Sequence, residues 1–162
     1  MEGRAHKQIV CTGKARRAEV DVTADDKRME VAQEFFQRFY RGDVSGAAEL
    51  LDENVTYHVP GSHQISGLFQ GVQAVKDHLE KVIELSEHTV RVVRWVDWMV
   101  GVNHLSAIAE VHVQRRGAMH TFKLVYLLEM TPQNKLRRIE VLADDPAAVE
   151  RTFPKDDEQV GS

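Results

Sequence analysis

Cysteine is nearly absent from this sequence of 162 residues, with Cys11 as its single example. An intrachain disulfide framework and a multi-cysteine metal site are therefore excluded. Long apolar runs are also missing, since no stretch approaches the roughly 18 residues that a membrane-spanning helix requires. The first twenty residues carry charges throughout, unlike a secretory signal. We therefore expect a soluble protein of the cytoplasm with no membrane partner.

Neither sign of charge dominates the chain. It has 21 basic and 25 acidic residues, which give a net charge of -4. Domains that bind nucleic acid usually carry a basic surplus, so we expect no nucleic-acid partner. The length and an apolar fraction of 43% favour one globular domain with a substantial core.

The spacing of apolar residues predicts the order of helices and strands. Helical spacing predicts helices over residues 25–40, 44–51, 72–86 and 147–153, and alternation predicts strands over 54–59, 88–98, 103–115, 119–130 and 136–143. This order predicts an α+β fold: a cone-like barrel in which a curved antiparallel sheet of about four to five strands packs against three helices and encloses a pocket. We place the domain at 25–153, between an amino-terminal extension (1–24) and a carboxy-terminal tail (154–162).

The stretch 57–71 carries the most specific pattern. Tyr57-His58-Val59-Pro60-Gly61 ends a predicted strand, and Ile65-Ser66-Gly67-Leu68-Phe69-Gln70-Gly71 leads into a helix. With the order of elements, this pattern resembles the SnoaL-like branch of the nuclear-transport-factor-2-like superfamily, which includes steroid isomerases and polyketide cyclases. The resemblance implies a pocket for a small hydrophobic organic molecule. It also implies either cofactor-free chemistry or non-catalytic binding and assembly, because this fold hosts both.

The acids that relatives use for catalysis are not found at the matching positions. Steroid isomerases of this fold use a tyrosine, a basic aspartate and a second, protonated acid to form and stabilise an enolate. The corresponding positions here are Phe35, Val59 and Tyr126. The cyclases place an acid on a late strand, and the apolar face of residues 119–130 has none.

Histidine and tyrosine remain as candidates for catalysis. His58, next to Val59, is our candidate base, since a neutral imidazole accepts protons near pH 7. Its structural alternative is to fix the turn that follows. Tyr126 and His120 are candidate hydrogen-bond donors, or else ordinary core residues with satisfied polar atoms. The predicted pocket lining consists of Phe35, Phe39, Val59, Phe122, Leu124, Ile139 and Val141.

Other polar residues give weaker signals. His104 and His112 share one strand face but would lie about 26 Å apart, too far to bind one ion, so we expect no metal site. His63 and His88 are expected to be exposed. We expect a homodimer through the outer face of the sheet, with apolar contacts from Trp95, Trp98, Met99 and Ile108.

The sequence thus predicts a protein that handles a small hydrophobic molecule without a cofactor. It leaves two functions open. One is an isomerase, cyclase, dehydratase or hydrolase that uses general acid–base catalysis. The other is a non-catalytic ligand-binding or dimeric assembly module of the same fold.

Overall fold

The computed structural model describes residues 22–155, so Cys11, most of the predicted amino-terminal extension and residues 156–162 lie outside the described residues. The helices are α1 (Val22–Tyr40), α2 (Val44–Ala48), α3 (Val72–Leu85) and α4 (Pro146–Thr152). The strands are β1 (Leu51–Val59), β2 (Gly67–Gln70), β3 (Arg91–Val100), β4 (Leu105–Arg115), β5 (Ala118–Met130) and β6 (Leu136–Ala143). No helix in this range is long and apolar enough to span a membrane.

The strands form a single sheet in the order β2-β1-β6-β5-β4-β3. It is curved but not closed, because β2 and β3 remain at its two edges. The α+β prediction is confirmed, with two corrections. The sheet has six strands rather than four to five, and it is not wholly antiparallel, because β1 and β6 run parallel.

The strand missing from the prediction is β2. It is four residues long and pairs with the end of β1, placing Phe69 opposite Tyr57 and Leu68 opposite His58. Glycines flank it: Gly67 begins the strand with φ 147° and Gly71 follows it with φ 90°. The glycines indicated a loop, but they allow the chain to turn at each end of a short paired segment.

The irregular pairing of β3 with β4 determines where the two tryptophans of β3 point. Register shifts in β3 between Val92 and Arg94, and between Trp95 and Asp97, add two bulges that change which side chains face the core. Trp95 and Trp98 therefore both point inward, with ring centroids 5.3 and 6.2 Å from that of Phe36. The expectation that they lie on the outer face is wrong.

The inner face of β4 follows the predicted alternation. Leu105, Ala107, Ala109, Val111 and Val113 are all buried. The small side chains at 107 and 109 leave room for aromatic rings from α1, β3 and β5. The sheet therefore has an inner wall that is apolar and shaped to hold bulky groups.

Arg115, at the end of β4, ties together the two helices near the open end of the sheet. Its Nε donates to the Leu85 carbonyl and its Nη1 to the Thr152 carbonyl, each at 2.8 Å. These carbonyls belong to the last residues of α3 and α4. The guanidinium also lies 5.2 Å from the ring centroid of Phe153. One buried cation thus holds α4 over the sheet.

Candidate ligand-binding site

A largely apolar cavity of about 200 Å³ lies between the inner face of the sheet and the helices. Residues of α1, α3 and α4, the sheet, and the loop between β1 and β2 all contribute to its wall. The apolar part of the wall includes Phe39, Val59, Ile65, Val82, Val90, Val111, Val113, Phe122, Leu124, Val141, Val149 and Phe153. Seven polar side chains also line it: those of three tyrosines, two histidines, Ser86 and Glu150.

Tyr40 and Tyr126 form a hydrogen-bonded hydroxyl pair, with 2.5 Å between their oxygens. Tyr40 ends α1, whereas Tyr126 lies inside the sheet between Ala107 of β4 and Val141 of β6. Burial raises the pKa of both phenols, so both remain protonated at neutral pH. Because two hydroxyls share one hydrogen bond, one O–H hydrogen is left to donate to a third group.

Tyr57 supplies a further hydroxyl from β1. Its side chain is 4% exposed, and burial raises its pKa well above the usual value. The ring lies 5.0 Å from that of His78, measured between centroids. The tyrosines are therefore neutral hydrogen-bonding groups set in an apolar wall.

His78 lies on the buried side of α3, three residues after Val75 and next to Leu79. Its imidazole stacks on Phe69, with a centroid distance of 4.1 Å. Burial lowers the pKa of His78 to about 4, so the ring is neutral at physiological pH. Its Nδ1 is buried without a hydrogen-bond partner.

His63 is held in place by its own loop. The Ser66 hydroxyl accepts from the His63 backbone N–H at 3.0 Å and donates to the His63 carbonyl at 2.8 Å. The side chain is buried, and the expectation that it is exposed is wrong. Burial lowers the pKa of His63, against the opposing effects of a hydrogen bond to the Pro60 carbonyl and of the Glu150 charge. Its Nδ1 also has no hydrogen-bond partner.

The predicted pocket residues are largely found in the cavity wall, but two are not. Phe39, Val59, Phe122, Leu124 and Val141 line the cavity. Phe35 and Ile139 are fully buried in the core and do not reach it.

The three candidate catalytic residues are not brought together. Tyr126 lines the cavity. His58 lies on the outer face of the sheet, where its side chain is 41% exposed and its Nδ1 lies 2.9 Å from a Glu140 carboxylate oxygen. His120 contacts the Thr152 hydroxyl at 3.2 Å and is not part of the wall. The His58 side chain points outward because side chains alternate along a strand and its neighbour Tyr57 takes the inward position.

Six polar residues of the wall were not among the candidates: Tyr40, Tyr57, His63, His78, Ser86 and Glu150. For two of them the sequence held a signal. Tyr40 follows Phe36 by four residues, and His78 follows Val75 by three, so each falls on the apolar stripe of its helix. His63 had no such signal, because its burial depends on α4, which is distant in sequence.

The described residues offer no cluster for a metal ion. Between residues 22 and 155, no three His, Cys, Asp or Glu side chains lie close enough together to hold one. His104, one of the paired strand histidines, instead bonds to Glu129 at 3.0 Å on the outer face.

Proteins of known sequence and structure resemble this chain over most of its length. An uncharacterised protein of Mycobacterium tuberculosis, Rv0034, is 24% identical over 126 residues, covering 78% of this chain and 95% of the relative. Among solved structures, Bal32a from a soil-derived mobile gene cassette superposes with a TM-score of 0.74 at 18% identity, covering 80% of this chain and 98% of Bal32a.

Two further structures share the fold and have described ligands or activities. SalBIII, described as an epoxide hydrolase/cyclase-like enzyme of salinomycin pyran-ring formation, has a TM-score of 0.63 at 18% identity, covering 73% of this chain and 91% of SalBIII. RV0760c of Mycobacterium tuberculosis, solved with estradiol-17β-hemisuccinate, has a TM-score of 0.62 at 12% identity, covering 71% of this chain and 92% of RV0760c. At these identities the likeness shows the fold alone.

The family assignment rests on the sequence match. Residues 32–139 match the SnoaL-like domain family. This segment runs from the middle of α1 into β6 and covers well over half of the chain. It includes the end of β1, the loop with His63 and the helix that carries His78. The chain therefore belongs to the SnoaL-like domain family.

Proposed function

We propose that this protein binds a small, largely apolar organic molecule that carries a hydrogen-bond-accepting oxygen. The observation that supports this most directly is the hydroxyl pair of Tyr40 and Tyr126 inside an apolar cavity. One hydrogen of the pair has no acceptor within the pair itself. A carbonyl, ether or phenolic oxygen on the ligand would accept it while the rest of the molecule contacts the apolar wall.

The volume of the cavity limits the size of the ligand. Pockets for drug-sized molecules have volumes of roughly 300–1,000 Å³. The cavity here is smaller, at about 200 Å³. A compact molecule of one or two rings is therefore the best fit, rather than a long or branched one.

The fold relatives support a small-molecule role of this kind. RV0760c was solved with a steroid derivative, and SalBIII is described as a cyclase-like enzyme. Their low identity to this chain leaves the particular ligand to be found from its own cavity.

The test is a fluorescence titration with 2-naphthol, a compact two-ring phenol. We expect saturable binding to the wild-type protein. Tyr126→Phe should weaken it by about 2- to 13-fold, since it removes one net hydrogen bond of about 0.5–1.5 kcal/mol.

A matched pair of variants checks the location of the bound probe. Leu124→Trp fills the cavity and should abolish binding, whereas Leu127→Trp, on the outer face of the same strand, should leave it unchanged. Thermal unfolding of both variants verifies that each is folded. Absence of saturable binding, or equal binding by the two variants, would contradict the proposal.

We also propose that two copies pair through the outer face of the sheet. Met99, Leu127 and Leu142 are exposed apolar side chains there, with exposures of 42%, 38% and 38%. Half-buried Ile108 lies among them on β4. Trp95 and Trp98 do not contribute, because both face the core.

A further inference from the structure

We propose that the cavity selects compact amines, whose ammonium group lies at the cavity mouth beside the Glu150 carboxylate while the apolar body lies inside. The proposal rests on the proposed function, because it names the charge of the molecule that binds in the same cavity. Glu150 is then the residue that determines specificity between cationic and anionic ligands.

The cavity opens to solvent where the loop between β1 and β2 meets α4. Pro60 and Gly61 of the loop, and Pro146 and Glu150 of α4, all line the cavity and are all exposed. A Cβ built on Gly61 would lie 3.7 Å from a Glu150 carboxylate oxygen, so this carboxylate lies close to the loop. Glu150 therefore stands at the mouth, with the apolar cavity on one side and water on the other.

Glu150 carries the single charge among the described residues of the wall. No lysine, arginine or aspartate in that part of the chain lines the cavity. Burial lowers the pKa of both His63 and His78, so these two imidazoles are neutral at physiological pH. Burial raises the pKa of all three tyrosines of the wall, which are neutral as well. The wall thus has a net charge of one negative unit.

Two cations act on residues of the wall from outside it. Lys81 adds to the effect of burial in lowering the pKa of His78. The Arg115 guanidinium lies 5.2 Å from the ring centroid of Phe153, and it donates to carbonyls at the ends of α3 and α4. Neither cation lines the cavity. A ligand carboxylate at the mouth would therefore meet the charge of Glu150 without a cation of the wall to pair with.

The Glu150 carboxylate is also not neutralised by its neighbours on α4. Arg151 follows it directly but lies 3.8 Å from an Asp145 carboxylate oxygen instead. Within residues 22–155, no lysine or arginine forms an ion pair with Glu150. A ligand ammonium would thus supply a counter-charge that the described part of the chain does not. Because this pair is partly solvated, its effect on affinity should be moderate.

The positions of the two polar groups determine the shape of the ligand. Phe122 and Tyr126 both face inward from β5 and are four residues apart, which is roughly 13 Å along a strand. The ring centroid of Phe122 lies 6.4 Å from that of Phe153, at the end of α4. The hydroxyl of Tyr126 is therefore distant from this end of the cavity. A ligand that reaches both this hydroxyl and Glu150 carries its oxygen and its amine at opposite ends of a compact skeleton.

The test compares four naphthols by fluorescence titration at pH 7 and low salt. They are 2-naphthol and its derivatives with an aminomethyl, a hydroxymethyl or a carboxyl group at position 6. The aminomethyl and hydroxymethyl compounds have the same shape but differ in charge. We expect the aminomethyl compound to bind the wild-type protein about 2- to 5-fold more tightly than the hydroxymethyl compound. The carboxylate should bind more weakly than both, and added salt should reduce these differences.

Substitutions at Glu150 change the charge of the mouth. Glu150→Gln should remove the difference in affinity between the aminomethyl and hydroxymethyl compounds, and Glu150→Lys should reverse it. The ratio of the two affinities within one variant cancels any general effect of the substitution on the cavity. Thermal unfolding verifies that each variant is folded.

The chain offers a matched control for net charge. Glu53 is an exposed glutamate on β1, six residues before Val59 and thus roughly 20 Å away along the strand. Glu53→Lys changes the net charge as much as Glu150→Lys does, and it should leave the preference for the amine unchanged.

The outcomes separate this proposal from the proposed function. Saturable 2-naphthol binding with equal affinities for the aminomethyl and hydroxymethyl compounds overturns amine selection and leaves ligand binding intact. A preference for the amine that survives Glu150→Gln, or that Glu53→Lys removes equally, overturns the role of Glu150. Binding of the aminomethyl compound to Leu124→Trp places the amine outside the cavity and also overturns the proposal. Failure of the wild-type protein to bind 2-naphthol overturns the proposed function, and with it amine selection.

Discussion

Replacing His78 with phenylalanine should make the stability of the protein less sensitive to acid. His78 is 4% exposed and lies between Phe69 and Tyr57, so the substituted ring can stack on the same neighbours. The substitution removes the titratable group but retains an aromatic side chain of similar size.

The magnitude follows from the pKa of His78 in the folded and unfolded states. Burial lowers it from 6.5 to about 4 in the folded protein. Between these values the unfolded chain binds more protons, so the free energy of unfolding falls as the pH falls. Above about pH 6.5 the contribution is fully present, and below about pH 4 it is lost. At about 1.36 kcal/mol for each pH unit, the loss is roughly 3 kcal/mol.

The assay is urea denaturation of the wild-type protein and His78→Phe at several values between pH 7.5 and pH 4. The difference in unfolding free energy between the two proteins should shift by roughly 3 kcal/mol in favour of the variant across this range. Constant effects of the substitution cancel, because only the change with pH is compared. Parallel curves for the two proteins would refute the assignment of a buried, neutral His78.

Three further substitutions test the packing and assembly of the molecule. Arg115→Met should lower the free energy of unfolding by about 2–3 kcal/mol, because it removes charged hydrogen bonds to the ends of α3 and α4. Urea denaturation measures this loss, and an unchanged midpoint would contradict the role assigned to Arg115. Asp43→Ala should cost about 1 kcal/mol in the same assay, since the Asp43 carboxylate caps α2 by accepting from the Gly46 N–H at 2.9 Å; a loss below the error of the measurement would show that this cap is dispensable. Leu127→Glu should convert a dimer to a monomer in light scattering, while Val102→Glu, in the turn between β3 and β4, should not. A monomeric wild-type protein would contradict the dimer proposal.

The long strands could be predicted because their signal is local. Along β4, residues from Leu105 to Val113 alternate between apolar and, except at Ile108, more polar side chains, and the structure buries the odd-numbered apolar set as expected. The two-residue period of a strand predicts which way each of these side chains points. The same holds for β5, where Phe122 and Tyr126 face inward.

The tryptophans of β3 could not be placed by the same rule. Trp95 and Trp98 are three residues apart, so strict alternation would put them on opposite faces. The bulge between Trp95 and Asp97 inserts one residue and brings both rings to the core. The pairing partner that creates the bulge is β4, and its register is not visible in the sequence of β3.

Two of the histidines lie where the sequence did not place them. His58 and His63 are five residues apart, and the strand end favoured His58 as the chemically active one. Alternation sends His58 outward to Glu140, whereas the loop turns His63 inward beneath α4. The contact that fixes this loop is a hydrogen bond from the Gln64 N–H to the Phe153 carbonyl at 3.0 Å. It spans most of the domain, so no local pattern could indicate it.

Residues of the sheet and residues of the loop and α4 contribute different side chains to the cavity. The sheet supplies apolar side chains such as Leu124, which limit the shape of the ligand, and it carries valine at position 59, where steroid isomerases carry their base. Among the described lining residues, the groups that can accept a proton are His63, His78 and Glu150. A pKa of about 4 keeps the imidazole of His78 neutral at physiological pH. Substitutions at Leu124 should therefore change which molecules bind.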